Sequence, residues 1–142
     1  MATDIKVLHR RGFEEGINQK RLDVFDELLA EEYVNYAFPA SAPGPEGFKQ
    51  VMGMFFAAFP DMHVAIEEQV AEGDKVASRG TFTGTHTGEF MGIAATGRPV
   101  SVSYIDVWRF RDGKAVENWV QMDMLGLMQQ LSVVPAPEPA TA

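Results

Sequence analysis

Val102-Ser103-Tyr104-Ile105-Asp106-Val107-Trp108-Arg109-Phe110-Arg111-Asp112-Gly113-Lys114-Ala115-Val116-Glu117-Asn118-Trp119-Val120-Gln121-Met122-Asp123 reads as a β-hairpin. Two runs rich in β-branched and aromatic residues flank Asp112-Gly113, a dipeptide suited to the positive φ angles of a two-residue turn. Such a turn pairs Arg111 with Lys114. Trp108 then opposes Glu117, Asp106 opposes Trp119, Tyr104 opposes Gln121 and Val102 opposes Asp123, all on one face. The other face carries Ile105, Val107, Val116, Val120 and Met122, with Ser103, Arg109 and Asn118 among them. The first face is aromatic and acidic. Unpaired acids are costly beneath a cover of helices, so that face either meets solvent or lines a cavity that uses its polar groups. Trp108 and Trp119 favour the cavity. The aliphatic face then needs its own cover, and a homodimer through the sheet is the simplest one. A single β-bulge would exchange the roles of the two faces.

Upstream, residues 62–71 and 75–86 are strand-like, with Val64, Ile66, Val70, Val76 and Phe82, and Gly73-Asp74 reads as the turn between them. A Gly-rich loop from Gly84 to Gly97 leads into the hairpin. Before Pro60 the period changes. Phe48, Val51, Met52, Phe55, Phe56 and Phe59 form one apolar helical stripe, with Pro45 in its first turn and Pro60 at its end. Shorter helical patterns cover residues 4–16, with Ile5, Leu8, Gly12, Phe13 and Gly16, and 21–29, with Leu22, Phe25, Leu28 and Leu29. A short apolar segment from Leu125 to Leu131 closes the domain. Helices followed by an antiparallel meander predict an α+β domain over residues 1–132. Its helices gather on one face of a curved sheet and enclose a pocket for a small apolar molecule. Residues 133–142 alternate Pro with small residues and are expected to form a disordered tail.

The chain has 142 residues, which fits one domain. A hydrophobic content of 46% supports a packed core and argues against global disorder. The formal charge of −8 repels phosphate backbones, and no run of Lys and Arg offsets it, so no nucleic-acid partner is expected. The absence of cysteine removes disulfides, thiolate ligands and cysteine nucleophiles. No stretch reaches bilayer length, and after the start Met1-Ala2-Thr3-Asp4 no secretory signal is expected. A cytoplasmic protein with no membrane partner is expected. His9, His63 and His86 make no metal-binding spacing, and neither a nucleophile elbow nor a dinucleotide-binding glycine motif occurs. Neither metal nor cofactor is expected.

The segment Gly84-Thr85-His86-Thr87-Gly88-Glu89-Phe90-Met91-Gly92-Ile93, then Thr96-Gly97-Arg98, Trp108 to Lys114, Glu117-Asn118-Trp119 and Asp123 to Leu131 resemble the SnoaL-like polyketide cyclase family. Ala58-Phe59-Pro60-Asp61 and Glu72-Gly73-Asp74-Lys75-Val76-Ala77 are similar to the same family, so that the resemblance spans residues 5–131. It implies a nuclear-transport-factor-2-like fold, a cone of antiparallel or mixed sheet packed against helices around a pocket. It also implies intramolecular aldol closure of a polyketide ester without metal or cofactor, with one aspartate as general acid and base. By this resemblance the aspartate carries over to Asp123 and the loop histidine to His86. The chain departs from the pattern at three positions. Tyr36 and Asn118 stand where relatives often have His, and Val120 stands where many carry an acid.

Proton abstraction beside a carbonyl needs a base near the substrate and a donor for the enolate oxygen. Asp123 is the candidate base, and His86, Tyr104 and Gln121 are candidate donors. Asp106 and Trp119 complete the expected pocket floor. Tyr36, Phe55, Phe59 and Met91 are further substrate-binding candidates. Plainer readings stand beside these. Asp123 can cap the following turn, His86 can pin its loop, and Asp106 can pair with Arg109 or another cation. Two other functions compete with a cyclase. An epoxide-opening hydrolase would bring Asp106, Asp123 and Arg109 to one water, against the parity that sends Arg109 to the other face. A binding protein without turnover would have a deep apolar pocket with Asp123 absent from it or held by backbone hydrogen bonds.

Overall fold

A computed structural model describes residues 4–38 and 42–135. Its helices are α1 (Ile5–Arg11), α2 (Val24–Leu28), α3 (Gly44–Ala58) and α4 (Met124–Gln130). Its strands are β1 (Leu29–Asn35), β2 (His63–Glu72), β3 (Lys75–Thr85), β4 (Pro99–Arg111) and β5 (Lys114–Met122). The strands form one sheet in the order β1-β5-β4-β3-β2. β2 to β5 make an antiparallel meander, and β1 joins β5 in parallel. The sheet is therefore mixed, in an α+β fold. Residues 136–142 of the expected tail lie outside the described residues.

The apolar stripe builds α3 as its spacing requires. Phe48, Val51, Met52 and Phe55 are buried against the sheet, and the chain leaves the helix at Phe59, one residue before Pro60. The pattern at 4–16 behaves differently. α1 ends at Arg11 and continues as a π-helical segment, Gly12–Asn18. Gly16 lies in this segment, against Phe25. A Cβ there would lie 2.4 Å from Cζ of Phe25, a fully buried ring that fills the space. Gly16→Ala is expected to cost about 1–3 kcal/mol, seen as a lower urea midpoint. An unchanged midpoint would mean that the ring yields freely.

The helical pattern at 21–29 overran. Helix α2 stops at Leu28, and Leu29 opens β1, whose partners are Ala115, Glu117 and Asn118 of β5. Leu29-Ala30-Glu31-Glu32 has no strand alternation, so only the neighbouring strand selects the extended conformation.

The hairpin turn forms at Asp112 and Gly113, whose φ angles are 53° and 78°. Arg111 pairs with Lys114 and Phe110 with Ala115, but Arg109 pairs with Glu117. Val116 is the extra residue of a β-bulge. Beyond it the register runs Trp108–Asn118, Val107–Trp119, Asp106–Val120, Ile105–Gln121 and Tyr104–Met122. On β4 the residues Val102, Tyr104, Asp106 and Trp108 point inward, as the alternation implies. On β5 the faces are exchanged. Asn118, Val120 and Met122 point inward, and Trp119 and Gln121 point outward. The expected floor is corrected accordingly, because the pairs Tyr104–Gln121 and Asp106–Trp119 do not form. The expected aliphatic face is split by the same one-residue shift.

Candidate functional site

Between the sheet, the π-helical segment and α3 lies a cavity of about 80 Å³, with room for a handful of waters or the leading edge of a larger molecule. Phe13 and Ile17 come from the π-helical segment, and Phe48, Val51, Met52 and Phe55 from α3. The sheet supplies Tyr104, Asp106 and Trp108 from β4 and Asn118, Val120 and Met122 from β5. The wall is thus mostly apolar, with a few polar groups on adjacent strands.

Asp106 is the acidic group of that wall, and it is 2% exposed. Its two carboxylate oxygens each lie 3.3 Å from Nε2 of His9, which is fully buried on α1. Ser78 of β3, a register partner of Asp106, donates its hydroxyl to Oδ1. The Ser78 oxygen lies 3.4 Å from the Tyr104 hydroxyl. On the far side of His9, Nε2 of Gln69 is 2.8 Å from Nδ1 and 3.1 Å from the Lys6 carbonyl oxygen. A carbonyl only accepts, so the amide NH2 faces both partners. His9 Nδ1 is then the acceptor, and its proton sits on Nε2, aimed at Asp106. A chain of hydrogen bonds thus runs from Gln69 through His9, Asp106 and Ser78 to Tyr104. His9 also meets the edge of Trp108 at 5.1 Å, which holds the imidazole plane. Burial pushes the Tyr104 phenol up to about 12, a shift opposed by the Ser78 hydrogen bond and aided by the Asp106 charge. Tyr104 therefore stays a hydrogen-bond donor at neutral pH.

The other expected site residues divide between wall, core and outer surface. Phe55, Tyr104 and Asp106 are in the wall. Phe59 is fully buried, packed on Phe82, Phe90 and His86. His86 is buried beneath that ring and is not a wall residue. Its Nδ1 accepts from the Thr96 backbone N–H at 3.2 Å, and its own backbone N–H donates to Arg98 at 2.9 Å, so it ties the Gly-rich loop together. Met91 is exposed in that loop.

Tyr36 and Trp119 stack on the outer surface with ring centroids 5.3 Å apart. The Tyr36 hydroxyl donates to Glu117 at 2.7 Å, and Arg109 pairs with the same carboxylate. Both contacts, the Tyr36 hydrogen bond foremost, hold Glu117 below the usual carboxylate range. Gln121 and Asp123 border an open hollow of about 370 Å³ together with Tyr104, Met122, Arg79 and Ser103, so three of the expected site residues meet there, away from Asp106. Asp123 is the N-cap of α4. Its carboxylate accepts from the Gly126 N–H at 2.9 Å, and its own N–H donates to the Ser103 carbonyl at 3.0 Å. Asp106, Asp123 and Arg109 do not converge, because Arg109 is held outside by Glu117 and Asp74.

The sequence reading missed His9, Ser78 and Gln69. A signal for Ser78 existed in the alternation Val76, Ser78, Gly80, Phe82, which puts one hydroxyl on a buried face. Nothing local marks His9. Among the described residues no cluster of three His, Asp or Glu side chains is placed to hold a metal ion, and no helix is long and apolar enough to cross a membrane.

Residues 7–131 match the model of the SnoaL-like polyketide cyclase family. The aklanonic acid methyl ester cyclase DnrD of Streptomyces peucetius is 31% identical over 143 residues, covering 97% of this chain and 97% of that protein. The aklanonic acid methyl ester cyclase DauD of Streptomyces sp. (strain C5) is 30% identical over 129 residues, covering 87% and 80%. Among solved structures, TsrD from Streptomyces laurentii superposes with a TM-score of 0.85 at 31% identity, covering 94% of this chain and 100% of that one.

Proposed function

The chain belongs to the SnoaL-like polyketide cyclase family, and from that premise we propose a cofactor-independent enzyme that closes a ring in a polyketide-type ester by proton transfer at Asp106. One observation carries the reading. The Asp106 carboxylate stands in the cavity wall, oriented by His9 and Ser78, and its Oδ2 meets only His9 among the described residues. That oxygen keeps an acceptor position for a substrate proton. In an aldol closure it takes the proton from the carbon beside a carbonyl. The enolate carbon attacks a second carbonyl carbon of the same molecule, and the new alkoxide takes the proton back. Tyr104 stands in the same wall, and turning its hydroxyl away from Ser78, 3.4 Å distant, would let it donate to charge developing on oxygen. Asp123 is not given this role here, because its carboxylate is engaged at the start of α4.

That engagement, with Val120 inside the cavity, favours a second reading of ligand binding without turnover. Aklanonic acid methyl ester, the compound in the names of two relatives, separates the two when its cyclised product is followed by chromatography. Asp106→Asn is expected to lower kcat by about a hundredfold or more. Asp123→Asn is expected to leave it within about threefold of the parent, an effect near the size of a lost cap. Full activity in Asp106→Asn would overturn the role of Asp106. Binding of the ester with no product from the parent protein would establish the second reading.

A further inference from the structure

Trp108 and Asn118 are register partners on β4 and β5, and both side chains stand in the cavity wall. They are 1% and 2% exposed. The Trp108 indole Nε1 and the Asn118 Oδ1 are both buried without a hydrogen-bond partner. The orientation of the Asn118 amide is set on its other side, where Nδ2 donates to the Tyr33 hydroxyl at 3.0 Å. One buried donor and one buried acceptor therefore belong to paired residues of the same wall, and each left unmet is costly. Their chemistry is complementary. Indole N–H only donates, and an amide oxygen only accepts.

We propose that Trp108 and Asn118 form a subsite for one hydroxyl group, which accepts from the indole and donates to the amide oxygen. A carbonyl or ether oxygen would satisfy Trp108 and leave Asn118 unmet. An ammonium group would do the reverse. A hydroxyl serves both with one atom. The rings of Phe13, Phe48 and Phe55 line the same cavity, so the ligand that fits is a phenol or the enol of a flat ring. The subsite deepens the reading of the cavity as a substrate site and rests on it. It assigns Trp108 and Asn118 as specificity-determining residues beside Asp106.

The chain has two tryptophans, and Trp119 is partly exposed on the outer surface, so one indole resonance reports the cavity and the other serves as reference. Phenol, anisole and toluene are titrated into the 15N-labelled full chain. Phenol is expected to bind about tenfold more tightly than toluene or anisole and to shift the Trp108 indole N–H while Trp119 stays in place. In Trp108→Phe and in Asn118→Leu the preference for phenol over toluene is expected to vanish. Equal affinity for the three probes would overturn the proposal, as would tighter binding of anisole or no shift of the Trp108 resonance by phenol. A bound water that phenol does not displace gives that last result. The comparison of probes on the unaltered protein stands even if a variant fails to fold. Equal binding of the probes beside a loss of turnover in Asp106→Asn would sink the hydroxyl subsite alone.

Discussion

Replacing His9 with Leu is expected to cost about 3–5 kcal/mol of folding stability, a large share of the roughly 5–15 kcal/mol that holds a domain together. The cost arises at Asp106 rather than at His9. Leu fills most of the imidazole volume, so the cavity term is small. The carboxylate, however, loses the N–H that meets both of its oxygens and keeps only the Ser78 hydroxyl on Oδ1. A buried charge left without its partner is among the most expensive single changes a core can suffer. The sharper measurement is the double variant. His9→Leu with Asp106→Leu removes the charge together with its partner, and urea unfolding should find it more stable than His9→Leu alone. Ser78 retains the Tyr104 hydroxyl as a neighbour in that variant. A cost below about 1 kcal/mol for His9→Leu would mean that water reaches Asp106 and that the pair does not depend on burial.

Phe25→Ala is the second large effect, again about 3–5 kcal/mol. Phe25 is fully buried and meets Phe48 of α3 edge-on at 4.6 Å. Its other side lies against Gly16, where a single added methyl group would collide with the ring. One side chain thus joins the π-helical segment, α2 and α3. Truncation leaves a void between the three elements it joins. The loss should appear in the thermal midpoint and in the urea midpoint alike. Gly16→Ala combined with Phe25→Ala should cost less than the sum of the two, because the new methyl enters the space the ring has left. Strict additivity would mean that the two residues do not share that space.

The parts of the fold that could be read in advance are those whose physics is local. The α3 stripe repeats at helical spacing over a dozen residues, and its two prolines sit at its ends. Asp112-Gly113 makes its turn because both residues tolerate a positive φ, whatever surrounds them. The inward set on β4 follows from strand alternation alone, which is why Tyr104 and Asp106 could be put on one face. Strand β1 escaped because its first four residues carry no alternation, and the edge of β5 is what holds them extended.

The site divides along the same line. Residue types and alternation determine that this chain builds a helix-covered sheet with aromatic and acidic side chains on one face of β4. Which acid meets the cavity is a tertiary matter. The single extra residue, Val116, shifts the register of β5, so that Trp119 and Gln121 turn outward and Asn118 and Val120 turn in. A bulge arises from packing across two strands and two layers, and no dipeptide announces it. The partner of Asp106 is equally hidden. His9 lies 97 residues away, and it reaches the carboxylate only because α1 docks against the sheet, with Gln69 of β2 holding the far side of its ring. Alternation orders neighbours along a strand, whereas a hydrogen bond between a residue in the last turn of the first helix and the fourth strand exists only once the layers have closed.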